Sequence, residues 1–251
     1  MTINIFENPV ELGKNAAAYC TEIINEAIAR KGNARIVLST GASQFDTIKA
    51  LTESNIDWSK VEMFHLDEYI GLPESHPASF RKYLKERFLS KVSIKQAYLV
   101  DGEDDPQNMI ANLTAEVRKE PIDLGVIGIG ENAHIAFNDP PADFDAKEAF
   151  IVVALDEACK QQQVREGWFE TIDDVPKLAI SMSVHQIMQC RKIVSCVPYA
   201  VKAKAIKDTL ESQLTNMVPA TMLKNHPDFV LFLDKDSSAL IDVEKHRQST
   251  S

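Results

Sequence analysis

Residues 122–140 read IDLGVIGIGENAHIAFNDP. The first part, Ile122–Ile129, is a nearly continuous apolar run, which is typical of a strand buried on both faces of a parallel sheet. The second part gathers glycines, an amide, an imidazole and a carboxylate, a composition that suits a functional loop better than a packed core. We therefore predict a central strand that ends in a site.

The same loop matches the dinucleotide-binding fingerprint G-x-G-x-x-G/A. That fingerprint needs a long helix running on from its third small residue, which here is Ala133. Pro140 and Pro141 follow too soon for such a helix. The fingerprint also usually begins a domain, whereas this copy lies in the middle of the chain. The sequence therefore argues against a dinucleotide cofactor.

Strands and helices alternate on both sides of this stretch. Short apolar runs predict strands, and apolar positions three or four residues apart predict helices. The alternation implies a mostly parallel sheet with helices on both faces. We predict a single α/β domain over residues 1–251, with a three-layer α/β/α, doubly wound, Rossmann-like sheet. The predicted strands are Arg35–Leu38, Val61–Leu66, Gln96–Val100, Ile122–Ile129, Phe150–Leu155, Leu178–Ser181, Lys192–Val197 and Phe229–Leu233, and the predicted helices are residues 10–31, 45–51, 79–89, 106–119, 184–189 and 200–210.

Three candidate functional residues follow the ends of predicted strands, namely Thr40, Asp67 and His134. Ligands of open α/β sheets bind outside the carboxyl ends of the strands, so we expect these residues to share one active site. A carboxylate at Asp67 can act as a general base, and the imidazole of His134 can act as an acid or a base near neutral pH.

Each of these residues also has a structural interpretation. The small residues Ser39–Ser43 join a strand to a helix, which suits phosphate binding by backbone N–H groups but also suits an ordinary capped turn. They are not a P-loop, because the Gly-Lys-Ser/Thr ending is missing. Taken alone, Asp67 is more often a turn cap than a base. A metal site made of His65, Asp67 and His134 has weak support, because the spacing is generic.

The charge balance limits the possible partners. A net charge of −10 and a pI near 5.1 argue against binding to nucleic acid or to an anionic membrane. They leave room for an anionic small molecule in a locally positive pocket. Lys202 begins a predicted helix, where the helix dipole disfavours a cation unless it faces an anion. Otherwise it is a solvated surface lysine, and Arg165 has no interpretation from spacing alone.

The sequence predicts a cytoplasmic protein. Residues 1–7 lack the basic and apolar segments of a signal peptide, and no window approaches the roughly 18 apolar residues of a membrane span. The four cysteines have no spacing typical of a disulfide framework or a metal site, so we expect reduced, structural thiols.

Four segments resemble the glucosamine-6-phosphate deaminases, also called isomerases, over nearly the whole chain. They are residues 38–43 (LSTGAS), 64–73 (FHLDEYIGLP), 128–140 (GIGENAHIAFNDP) and 201–205 (VKAKA). The second and third are specific. The related 6-phosphogluconolactonases usually read GxGxDGHTAS at the third segment and generally lack the DEYxGL of the second.

The resemblance implies that an amino-sugar 6-phosphate becomes a ketose 6-phosphate and ammonia, with no metal or redox cofactor. It implies that Asp67 moves a proton from C2 to C1 and that His134 opens the sugar ring. The partner it implies is a small phosphosugar, and we expect a monomer or a small homo-oligomer. The supporting and phosphate-binding residues that it implies are Asn132 and Asp139, and Thr40, Gly41, Ala42, Ser43, Lys202 and Arg165.

Two departures from the family pattern leave the substrate open. Asp139 stands where relatives usually have Glu, and Ala133 stands where a Gly usually precedes the His. The substrate is therefore glucosamine 6-phosphate or a close isomer such as galactosamine 6-phosphate. Two other functions remain as alternatives. One is a 6-phosphogluconolactonase-like hydrolase, and the other is a non-catalytic regulator that binds a phosphosugar.

Overall fold

The main sheet contains seven parallel strands in the order β1-β10-β9-β6-β2-β3-β5. The computed structural model describes residues 1–242, and residues 243–251 of the predicted domain lie outside the described residues. The seven strands are β1 (Thr2–Phe6), β2 (Ala34–Leu38), β3 (Val61–His65), β5 (Gln96–Tyr98), β6 (Leu124–Val126), β9 (Lys192–Val197) and β10 (Phe229–Asp234).

Helices cover both faces of this sheet. Successive residues of a strand point to opposite faces, so each strand contributes side chains to both. In β2, Val37 packs into one apolar cluster, whereas Ile36 and Leu38 pack into the other. Helices α1 and α2 supply the second cluster, and α4, α6 and α7 supply the first. The predicted three-layer, doubly wound α/β fold is thus confirmed. The helices are α1 (Pro9–Lys31), α2 (Phe45–Thr52), α3 (Phe80–Leu84), α4 (Pro106–Val117), α5 (Glu157–Arg165), α6 (Val184–Ile187) and α7 (Ala203–Glu211).

A second, antiparallel sheet has the order β4-β8-β7, with β4 (Asp67–Tyr69), β8 (Leu178–Met182) and β7 (Phe150–Ala154). The sequence predicted both β7 and β8 as strands of a mostly parallel sheet, and it did not indicate that they pair in a separate antiparallel sheet. An apolar run shows that a strand is buried but not which neighbour it pairs with.

The chain changes sheets at Leu66, so His65 and Asp67 belong to strands of different sheets. His65 ends β3 as a fully buried side chain whose Nδ1 accepts a hydrogen bond from the Val100 N–H at 3.3 Å. Burial lowers the pKa of His65 to about 3, with Arg81 acting in the same direction. His65 is therefore a neutral core residue. The weak metal hypothesis that included it has no geometric support.

Sequence patterns missed β1 and α5. Helix α5 reads EACKQQQVR and has almost no apolar stripe, so its sequence lacks the helical periodicity of apolar residues. The long predicted strand at residues 122–129 pairs only over Leu124–Val126, although Ile127 and Ile129 are buried beyond it.

All four cysteines are buried and unpaired. None of the helices in residues 1–242 has the length and apolar character that a bilayer crossing requires.

Gly13 allows helices α1 and α2 to cross at close range. A Cβ atom at residue 13 would lie 2.7 Å from the Asp46 carbonyl carbon and 2.8 Å from the Thr47 nitrogen. Helix α2 begins directly after the loop that contains Thr40, so this crossing helps to fix that loop.

We expect Gly13→Ala to destabilise the protein by about 1–3 kcal/mol through overpacking. Gly→Ala inside a helix normally stabilises a protein by roughly 1 kcal/mol. A loss of stability at residue 13 is therefore specific evidence for the close crossing. Urea unfolding measures the change. The control is Lys14→Ala at an exposed position of the same helix, which should stay within about 0.5 kcal/mol of the unsubstituted protein. A gain in stability for Gly13→Ala would contradict the close crossing.

Candidate active site

A cavity of about 560 Å³ opens where β6, β2 and β3 end side by side. The loops that follow these three strands bring together Thr40, Asp67 and His134, which all line the cavity. Further lining comes from Gly41, Ala42, Ser43, Gly130, Gln162, Gln163, Glu166 and Lys202.

Asp67 and Glu68 are adjacent but have different surroundings. Glu68 is fully buried and accepts hydrogen bonds from the Tyr69, Phe80 and Arg81 N–H groups at 3.0, 3.2 and 2.8 Å, so it holds the start of α3. Asp67 lines the cavity, is 6% exposed and has no hydrogen bond from its carboxylate within residues 1–242. Burial raises the pKa of Asp67 well above its usual value, and Glu68 and Asp139 act in the same direction. Asp67 is thus a stronger base than an exposed carboxylate.

His134 is held from its Nδ1 side. This nitrogen lies 2.6 Å from Asn132 Oδ1 and 3.1 Å from Asp139 Oδ1, so we assign the proton to Nδ1. Nε2 has no hydrogen-bond partner in the described part of the chain and is available to a ligand. Burial favours protonation of Asp139, but the hydrogen bond with His134, the charge of His134 and the Asp156 N–H bring its pKa below the usual value. Asp139 therefore stays ionised and supports a charged imidazole.

Asp156 joins this pair to helix α5, a link that sequence reasoning missed. Asn132 Nδ2 donates to Asp139 Oδ1 at 3.2 Å and to Asp156 Oδ2 at 3.3 Å. The Asp156 N–H donates to Asp139 Oδ2 at 3.1 Å, and Asp156 Oδ1 accepts from the Cys159 N–H at 2.6 Å as the N-cap of α5. An Asp directly before a possible first helical turn was the available signal.

The backbone around His134 is strained. Ala133 and Ala136 have φ values of 62° and 51°, in the left-handed region where a Cβ costs about 1–2 kcal/mol. Tyr199, which begins the turn leading to Lys202, has a φ of 81°. Ala133 is the position where relatives usually carry Gly, and its conformation explains that preference. Strain of this kind persists where the surrounding structure holds it, often at functional sites.

Lys202 is a buried cation without a counterion. It is 4% exposed and lines the cavity, and its ammonium group makes no hydrogen bond or ion pair within residues 1–242. Burial lowers the pKa of Lys202, although Glu166 and Glu131 act against that shift. A buried ammonium group is costly unless an anion reaches it. The cavity is therefore suited to an anionic ligand.

Arg165 does not line this cavity. Its side chain is half exposed, and its guanidinium group pairs with the Glu131 carboxylate. The α5 side of the cavity is formed instead by Gln162, Gln163 and Glu166. The family resemblance implied Arg165 as a phosphate-binding residue. Sequence reasoning missed the two glutamines, because adjacent polar residues on a short helix carry no pattern.

Comparison with known proteins identifies the family. Residues 7–231 match the family model of glucosamine-6-phosphate isomerases/6-phosphogluconolactonase. The chain belongs to this family. The glucosamine-6-phosphate deaminase of Lactobacillus delbrueckii subsp. bulgaricus is 34% identical over 96% of this chain and all of its own length. That of Thermoanaerobacter pseudethanolicus is 36% identical over 97% of this chain and 96% of its own.

Solved structures of the family have the same fold. A monomeric glucosamine-6-phosphate deaminase superimposes with a TM-score of 0.87 at 28% identity, covering 96% of this chain and all of its own. The 6-phosphogluconolactonase of Trypanosoma brucei superimposes with a TM-score of 0.79 at 16% identity, covering 96% and 98% of the two chains. The second likeness shows the fold alone.

In this family member, Gly130 makes room for the His134 ring. A Cβ atom at residue 130 would lie 2.2–2.4 Å from the ring atoms of His134. We expect Gly130→Ala to displace the ring and to cost about 1–3 kcal/mol of stability. By NMR, the hydrogen-bonded Nδ1 proton of His134 should be visible in the unsubstituted protein and lost in the variant. Gly128→Ala is the matched control, because its Cβ would meet only ordinary contacts at 3.5 Å. An unchanged Nδ1 signal in Gly130→Ala would contradict this packing.

Asp67 should make stability depend on pH. Its pKa is raised in the folded state, so its contribution is fully present below the unfolded-state pKa and is lost as pH rises through the folded-state pKa. An asparagine does not titrate. Asp67→Asn should therefore gain stability relative to the unsubstituted protein as pH rises from 5 to 8, as measured by urea unfolding. Asp173→Asn, at an exposed position, should show no such trend. A stability difference for Asp67→Asn that does not grow with pH would contradict the raised pKa.

Proposed function

We propose that this protein converts glucosamine 6-phosphate, or a close isomer, to fructose 6-phosphate and ammonia. The observation that supports this most directly is the content of one cavity. A buried carboxylate at Asp67, an oriented imidazole at His134 and an unpaired buried ammonium at Lys202 all line it. The first two match proton transfer on a sugar, and the third matches a phosphate. The relatives named as glucosamine-6-phosphate deaminases support the same reaction over nearly the whole chain.

His134 carries out ring opening in this proposal. Opening a hexose ring takes a proton from the C1 hydroxyl group and delivers one to the ring oxygen, which suits an imidazole near neutral pH. The free Nε2 faces the substrate, while Asn132 and the ionised Asp139 hold Nδ1–H. Asp139, one methylene shorter than the usual Glu, still reaches His134 at 3.1 Å. The shorter acid therefore does not argue for a non-catalytic protein.

Asp67 then transfers a proton from C2 to C1. Its raised pKa makes the carboxylate a stronger base, provided that it is ionised when substrate binds. The substrate ammonium at C2 stabilises both the ionised carboxylate and the enolamine that forms. The transfer leaves an imine at C2, to which water adds before ammonia departs. No redox change occurs, and no cofactor is proposed.

The phosphate group supplies binding energy that holds the sugar over Asp67 and His134. We assign it to Lys202 and to the loop of Thr40, Gly41, Ala42 and Ser43. The buried Ser39 hydroxyl beside this loop also has no hydrogen-bond partner among residues 1–242. Arg165 remains on Glu131 in this assignment. We further propose a monomer, by analogy with the monomeric deaminase, acting in the cytoplasm.

Ammonia release from purified protein tests the function. We expect release from at least one of glucosamine, galactosamine and mannosamine 6-phosphates, and Asp67→Asn should lower kcat by about 100-fold or more. Phosphosugar binding by Asp67→Asn, measured by calorimetry, should stay close to that of the unsubstituted protein. Hydrolysis of 6-phosphogluconolactone without any ammonia release would favour the hydrolase instead. Phosphosugar binding without either reaction would favour the regulator.

A further inference from the structure

Helix α5 contains three consecutive glutamines in three different environments. Gln161 is exposed. Gln162 is buried and fully engaged, because its Oε1 accepts from the Glu131 N–H at 3.1 Å and its Nε2 donates to Glu166 Oε1 at 2.7 Å. Gln163 is 5% exposed and lines the cavity. Its side-chain amide has no hydrogen-bond partner in the described part of the chain.

An amide that lines the cavity and has no partner among residues 1–242 is free to hydrogen-bond a ligand. Gln163 shares the condition with Lys202, which is also buried, unpartnered and part of the cavity lining. The charges of Arg165 and Glu166 both act on Lys202, so the end of α5 lies beside this lysine. The amide and the ammonium group therefore line the same cavity.

We propose that the Gln163 amide binds the anionic group of the substrate together with Lys202. On the proposed function, this group is the phosphate of the sugar. Helix α5 then contributes a neutral donor to the anion, while its nearby cation, Arg165, is held by Glu131. The amide offers two N–H donors and one acceptor oxygen, whereas a guanidinium group offers donors only. Gln163 can thus also accept a hydrogen bond from a singly protonated phosphate, whose second pKa is about 6.

Inorganic phosphate, titrated into the complete protein by calorimetry, probes this site without any need for turnover. Gln163→Ala should raise the Kd for phosphate about tenfold or more, because a hydrogen bond to a charged group is lost. Gln163→Glu should raise it further, because a carboxylate repels the anion. Gln161→Ala, at the exposed neighbour, should leave the Kd unchanged.

Thermal unfolding separates binding from structure. Gln163→Ala should fold with a nearly unchanged Tm, because the Gln163 amide makes no hydrogen bond within residues 1–242 that the substitution would remove. Gln162→Ala should lower the Tm, because it breaks two hydrogen bonds. A lower Tm for Gln163→Ala with an unchanged Kd would make Gln163 a packing residue and overturn the proposal. An absence of phosphate binding by the unsubstituted protein would also overturn it.

The role of Gln163 and the proposed function can fail independently, and the experiments distinguish the two failures. Weaker phosphate binding by Gln163→Ala without ammonia release would support the anion site and reject the deaminase. Ammonia release with the same KM and the same phosphate Kd in Gln163→Ala would support the deaminase and reject the role of Gln163. Where both hold, Gln163→Ala should raise KM about tenfold and change kcat little, since the phosphate lies away from the reacting carbons.

Discussion

The site depends on how the chain leaves the parallel sheet at Leu66. The Leu66 carbonyl accepts a hydrogen bond from the Met182 N–H at 2.9 Å, and Asp67 then pairs with Ser181 in the antiparallel sheet. A backbone ladder therefore fixes Asp67, while its carboxylate lies at the carboxyl edge of the main sheet. Because both sheets surround it, the carboxylate is desolvated, and this raises its pKa.

The central part of the fold could be predicted from the sequence because its strands are apolar on both faces. Strands β2, β3, β6, β9 and β10 read as apolar runs, and the helices between them carry apolar stripes. The second sheet could not be assigned in this way, because strand pairing is set by the tertiary structure. Helix α5 was not predicted, because its residues are mostly polar. It forms one wall of the cavity.

The same limits apply to the site. Thr40, Asp67 and His134 could be placed together because each follows a strand, and the parallel sheet dictates where such residues meet. The role of Asp156 depends on its side-chain contacts, and that of Gln163 depends on its place in the cavity lining. No spacing in the sequence reveals either. Arg165 shows the converse, since a cation near a predicted phosphate site need not point into it. Residue type alone does not distinguish Arg165, which is paired with Glu131, from Gln163, whose side-chain amide has no partner in the described part of the chain.

The N-cap of α5 has a wider consequence. Asp156 starts the helix that carries Gln163, and it also contacts the Asn132 and Asp139 side chains that orient His134. Recognition of the anion and orientation of the proton carrier thus share one rigid element. A change that shifts α5 to fit a different sugar will also disturb the imidazole. Selection for a new substrate in this chain is therefore constrained to act on both properties at once.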